Sequence, residues 1–302
     1  MKKIREREEH KNSRVEELKV KSQAAMEYLM TYGWAILIIA LSLVVLYSLG
    51  IMNPKNFIPR APPGSCFVFR PNGPGTTDYV SLQGTCGYLP MYVASFNGVS
   101  SYISVPDSVS LNPKNISVEL WFKASNTGNR EFVEKRTSSN AGGFGIQGDI
   151  SGSSKIEGWI YDSGSWYATR GIQTITPQYN VWHQVILTYD GSYLRVYIDA
   201  KLDAQVAHSG SISSTTAPVR IGLSNTGLYP INGSIANVQI YNTALTPQEI
   251  QYLYQEGLGG GPVRLQNLVA WWPLNGDAKD YSGNNNHGTI YNVTFVQNYN
   301  PP

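Results

Sequence analysis

Trp182–Ile198 reads WHQVILTYDGSYLRVYI. Two apolar-alternating runs, Trp182–Tyr189 and Leu194–Ile198, flank Asp190-Gly191. A strand face repeats every second residue, and Asp-Gly between two such runs is a strong local signal for a tight antiparallel hairpin. Val118–Phe122 (VELWF) and Ile156–Tyr161 (IEGWIY) alternate in the same way. Short strands at regular spacing, broken by turn residues, predict a β-sandwich or jelly roll. A single helical patch interrupts the pattern. Thr246-Pro247-Gln248-Glu249 is a capping-box start, followed by Ile250, Leu253 and Tyr254.

Composition agrees with a β-rich chain of turns. Charged residues are 15% of the 302, against roughly 25% in ordinary soluble chains. Gly (29) and Tyr (20) take up much of the difference. The net charge of +2 is uneven. Residues 1–22 hold eight Lys/Arg and five Asp/Glu, and the rest is close to neutral. No basic field exists for nucleic acid. Cys66 and Cys86 stand in an otherwise Cys-free chain. One disulfide closing a short loop is expected, worth about 3 kcal/mol in the chain-entropy model; two reduced, buried thiols are the alternative. Their surroundings do not make a zinc site.

Tyr28–Ile51 is a 24-residue run without a charged side chain. Its length suits a membrane-crossing helix, and Met52-Asn53-Pro54 ends it. The positive surplus before it predicts that residues 1–22 stay in the cytoplasm and the rest is exported. Glu27 at the lip of this run is costly in hydrocarbon and calls for a partner or a role. The word KSQAAMEYLMTYGWAILII, within residues 19–51, resembles the start of archaeal type IV pilin-like precursors with a class III signal peptide. The resemblance implies cleavage between Ser22 and Gln23 by a prepilin-type peptidase. It places Glu27 fifth in the mature chain, for assembly with copies of itself in a filament. An ordinary membrane anchor is the competing reading. Residues 53–65 (NPKNFIPRAPPGS) carry four prolines and read as an extended spacer. Cys66–Phe69 and Tyr79–Leu82 beyond it read as a stapled hairpin.

FNGVSSYISVPDS (96–108), ISVELWFKA (116–124), LRVYIDAKL (194–202), INGSIANVQIYNTALTPQEIQYLY (231–254) and LVAWWPLNGDAKDYSGNNNHGT (268–289) resemble laminin-G-like, concanavalin-A-like jelly rolls. The last word opens the domain in that family, and here it follows the closing one. The resemblance therefore implies a circularly permuted sandwich whose C-terminal segment supplies the first strand; exchange with a neighbour or a truncated repeat are the alternatives. The division expected is a charged leader at 1–22, a hydrophobic helix at 23–52, a connector with hairpin at 53–93, a sandwich at 94–258 and the closing segment at 259–302.

The resemblance also implies a structural calcium near Asp280 and Asn284, although the acidic residue usual in the closing strand is Ala236 here. A hydrogen-bonded turn is the alternative. Catalysis finds no word: Glu119 and Glu157 are isolated on different strands, whereas glycoside hydrolysis needs a spaced pair. Tyr161, Trp166 and Tyr167 are the residues placed to stack on a sugar, with core packing as the alternative. Asn115, Asn232 and Asn292 open N-glycosylation sequons. The function expected is a non-enzymatic cell-surface pilin-like subunit or adhesin. A membrane-anchored lectin binding surface glycans and a surface glycanase are its competitors.

Overall fold

The structure, a computed structural model, describes residues 16, 21–23, 26–27, 30, 32–45, 66–84, 86, 89–125, 130–137, 142–148, 155–170 and 172–298. The chain divides into two compact units, Met1–Pro59 and Arg60–Pro302.

In the first unit residues 32–45 are helical and exposed. Among the described residues no helix is long and apolar enough to cross a membrane. The expected 24-residue span lies partly outside them, as does the 53–65 spacer. Ser22, Gln23 and Glu27 are helical and exposed.

The second unit is a sandwich of antiparallel strands. Its first elements are β1 (Phe67–Phe69), β2 (Ser81–Gln83), β3 (Tyr92–Asn97), β4 (Tyr102–Val105), β5 (Ile116–Ala124), β6 (Arg130–Lys135), β7 (Gly143–Gly148), β8 (Ile156–Asp162) and β9 (Ser165–Ala168). After these come β10 (His183–Tyr189), β11 (Tyr193–Ile198), β12 (Lys201–Ala207), β13 (Val219–Ile221), β14 (Asn232–Tyr241), α1 (Pro247–Glu256), β15 (Leu268–Trp272), β16 (Thr289–Tyr291) and β17 (Thr294–Gln297). One sheet runs β12-β11-β10-β5-β14-β3-β17, with β15 also paired to β14. The facing sheet runs β16-β4-β13-β6-β7-β8-β9. Their inner faces meet in one core that includes Phe96, Leu120, Phe122, Phe132, Ile146, Leu187 and Trp272.

The Asp-Gly hairpin forms β10 and β11, with Tyr189 opposite Leu194. Asp190 Oδ1 accepts the backbone N–H groups of Ser192 and Tyr193 at 2.8 and 2.7 Å, and Gly191 takes φ 89° at the turn. The capping box of α1 is complete: Thr246 accepts from Glu249 N–H, and the Glu249 side chain accepts from Thr246 N–H. Ile250 and Leu253 of α1 then cover a second apolar cluster on the outside of the first sheet, with Ile186, Tyr241 and Trp271.

β14 carries two partners end to end on one edge. Asn232–Ile235 pair with β3, and Val238–Tyr241 pair with β15 of the same chain. The changeover is Asn237, at φ 51°, a left-handed conformation that Asn tolerates. Its Oδ1 accepts from Trp271 Nε1 at 2.8 Å, and its Nδ2 donates to Gly260 O at 3.0 Å. One side chain therefore ties the segment after α1 to β14 and to β15.

Cys66 and Cys86 are joined in a disulfide. The β1–β2 hairpin that they staple lies on the C-terminal segment and belongs to the same unit as the sandwich. Val68 N–H donates to Tyr281 O at 2.8 Å. Arg70, 8% exposed, donates to the carbonyls of Ser282, Leu268 and Leu265 at 2.8, 2.8 and 3.0 Å, and to that of Thr76.

A candidate carbohydrate cleft

The outer face of the second sheet follows from strand alternation. In β8, Ile156 and Ile160 enter the core, and Gly158 lies against Leu187 and Val196. Glu157, Trp159 and Tyr161 therefore face out. Their partners on β7 are Gln147, Gly145 and Gly143, and on β9 Ala168 pairs with Trp159 and Trp166 with Tyr161. Two of the three outward positions of β7 thus carry no side chain. Trp159 lies flat in the trough; a Cβ on Gly145 would come within 2.3 Å of its ring. Tyr161 meets it edge to face, ring centroids 5.7 Å apart.

A cleft of about 210 Å³ opens above this floor, lined by Arg136, Gln147, Trp159, Tyr161, Trp166, Arg170 and Tyr229. Trp159 is 1% and Tyr161 6% exposed, whereas Trp166 is 38% exposed. Arg170 sits over Trp166 at 4.7 Å, and Arg136 over Trp159 at 5.4 Å. Glu157 holds Arg170 by a two-pronged bond, 2.8 Å to Nε and 2.7 Å to Nη2, and also accepts from Gln147 Nε2. Glu134 Oε2 lies 3.0 Å from Arg136 Nε.

Three carboxylates, Glu131, Glu134 and Glu157, are fully buried in this sheet. Burial, followed by repulsion from Glu134, holds Glu131 well above the usual carboxylate range. Burial also raises Glu134, against the pull of Arg136. Glu157, expected to be isolated on its strand, lies close enough to Glu131 to add to that repulsion. Glu131 pairs with Gln147 and Glu134 with Gly145, so both face outward. Period-two counting would put residues three apart on opposite faces, but a bulge between Glu131 and Val133 restores them to one. None of the three lines the cleft itself.

Of the three residues expected to stack on sugar, Tyr161 and Trp166 line the cleft and Tyr167 does not. Tyr167 stacks on His208 with ring centroids 3.6 Å apart and packs against the core, on the other face of β9. Sequence reasoning missed Trp159, Arg136, Arg170, Gln147 and Tyr229. The signal available was GFGIQG (143–148), whose alternate glycines leave room for large rings on the neighbouring strand.

Asp280 and Asn284 build a turn. Asp280 Oδ1 accepts from the N–H groups of Trp271 and Ser282, and Oδ2 from that of Asn286. Asn284 Nδ2 donates to the carbonyls of Leu268 and Val269, and its Oδ1 accepts from Gly75 N–H. Both side chains spend their oxygens on backbone donors, and Ala236 adds none. Among the described residues no group of three His, Cys, Asp or Glu could hold a metal. Asn115, Asn232 and Asn292 are all exposed. Glu119, the other isolated acid, faces α1's side of the first sheet and accepts from Gln184 Nε2 at 2.7 Å.

Comparison with known proteins agrees with the architecture. Among solved structures, a candidate carbohydrate-binding protein from Bacteroides ovatus superposes with a TM-score of 0.54 at 18% identity, over 72% of this chain and 63% of that one. The chain thus spans less than two thirds of that protein's length. The heptameric SAP-like pentraxin from Limulus polyphemus superposes with a TM-score of 0.50 at 13% identity, over 69% and 95%. At these identities the likeness concerns the fold. A search of curated proteins finds no match. The family model described as the concanavalin A-like lectin/glucanases superfamily matches residues 97–251, half of the chain, and the chain belongs to that superfamily.

Proposed function

We propose that this chain is a non-enzymatic carbohydrate-binding protein whose sandwich takes a glycan in the cleft beside Trp166. The observation that carries the reading is the part-exposed Trp166 ring at the mouth of a concave, aromatic-walled cleft with polar Gln147 and two arginines around it. Sugar rings present apolar C–H faces edged by hydroxyls, and such a wall offers both an aromatic face and hydrogen-bond groups. Superfamily membership and a structural neighbour described as a carbohydrate-binding candidate support the same reading. Binding without hydrolysis is favoured because the three carboxylates lie sealed beneath the cleft and their arginines. A glycan array with the full-length chain, followed by an assay for reducing ends, tests both halves. The reading expects retained glycan and no new reducing ends.

The N-terminal segment gives the reading its place at the cell surface, by anchoring the sandwich or polymerising it. What supports this is the spacing of Lys21, Ser22, Glu27 and the apolar run. Peptide mass spectrometry of the native N-terminus tests it. A mature end at Gln23 supports prepilin-type processing and assembly, and a retained leader removes that part of the proposal.

A further inference from the structure

The wall of the cleft has a charge pattern that a neutral sugar does not need. Two guanidiniums line a cavity large enough for about one sugar ring, below the roughly 300 Å³ of a drug-sized pocket. Neither is a loose surface side chain. Arg170 is laid on Trp166 and gripped by buried Glu157; Arg136 is laid on Trp159 beside buried Glu134. Stacking and ion pairing together fix the plane of each fork before a ligand arrives, which lowers the ordering cost of binding. One carboxylate thus stands beneath each of these arginines. A third cation, Arg220, pairs in register with Glu134 and stacks on Tyr102 at 4.2 Å. Glu131, the remaining acid of the cluster, is buried beside Glu134 and Glu157, and that burial holds its carboxyl well above the usual carboxylate range.

Resting on the glycan reading above, we propose that the cleft selects an acidic sugar, whose ring lies against Trp166 and whose carboxylate is received by Arg136 and Arg170. A planar guanidinium matches a planar carboxylate, and the partly water-excluded aromatic wall strengthens the pairing. A uronate and a sialic-type sugar both present this group, and the test separates them.

The full-length chain is titrated, in buffer free of sugar detergents, with hexuronate oligomers and their methyl esters, with sialyl oligosaccharides and their asialo partners, and with sulfated neutral oligosaccharides. The proposal expects at least one carboxylated sugar to bind about tenfold or more tighter than its neutral partner, with affinity falling as salt rises. That preference should vanish in Arg136→Gln and in the double variant Arg170→Gln/Glu157→Gln, which leaves no buried carboxylate unpaired. Melting curves check that both variants fold. Equal affinity for charged and neutral partners, lost in Trp166→Ala, overturns the acidic-sugar inference and leaves the glycan reading standing. Preference for sulfated over carboxylated sugars overturns it as well. Binding of no sugar at all overturns both.

Discussion

At the residue scale the fold keeps several carboxylates in places where ionisation is expensive. Glu119 is fully buried, and burial pushes its carboxyl up to about 8, against the opposing hydrogen bond from Gln184. An unfolded Glu releases its proton near 4.5, so between about pH 4.5 and 8 the folded chain binds more protons than the unfolded one. Stability is then full below pH 4.5 and falls as pH rises through about 8. Glu131 and Glu134 act in the same sense. Urea titrations at pH 5, 6.5 and 8 should show stability falling with pH. Glu119→Gln should flatten the fall by an amount of order 1 kcal/mol per pH step of one, since a tenfold change in proton affinity is worth about 1.4 kcal/mol. An unchanged slope would contradict the assignment. The same residues show what a sequence conceals. Asp190-Gly191 and the Thr246–Glu249 box are local devices, and both were legible. The outward placing of Glu134 depends on a bulge that only the pairing of β6 with β7 reveals.

At the element scale, the sequence showed the strands but not their neighbours. The cleft is made where β7, β8 and β9 lie side by side, so its floor is set by which residue stands opposite which. Trp159 finds room because Gly145 is its partner. Trp166 and Tyr161 were legible as aromatics near a turn. Tyr167 was misplaced because adjacent strand residues face opposite ways. The β1–β2 hairpin read as part of a connector, and it instead clasps the C-terminal segment. Arg70 is the clasp, its guanidinium capturing carbonyls on both sides of β15. Arg70→Ala strands those carbonyls and should cost about 2–4 kcal/mol, which for a domain of this size lowers the melting temperature by about 5–15 °C. Scanning calorimetry of the oxidised protein would measure it. A drop of less than about 2 °C would mean that the disulfide alone holds the hairpin.

At the scale of the whole molecule, the second unit needs both ends of its chain. β3 and β15, more than 170 positions apart in sequence, complete one edge of β14 together, and Asn237 marks their meeting point. The two-sheet fold was legible because its alternating words occur along most of residues 94–295. The site was only half legible, because arginine placement and strand neighbours carry no local signature. The turn at Asp280 and Asn284 closes on backbone donors, so the fold should stand without a divalent cation. Thermal melts in excess EDTA and in millimolar calcium should agree within about 1 °C. A calcium-dependent rise of several degrees would show that a cation binds and contributes to the fold.

Whether the cleft beside Trp166 binds sugar is decided by one titration. Full-length wild-type and Trp166→Ala chains are titrated with the tightest glycan found by array. Trp166 is 38% exposed, so its loss should leave the melting temperature nearly unchanged. The variant should keep its fold and lose about tenfold or more in affinity, the value of one aromatic platform. A folded variant that binds as tightly as wild type would show that the sugar sits elsewhere or that this cleft has another use.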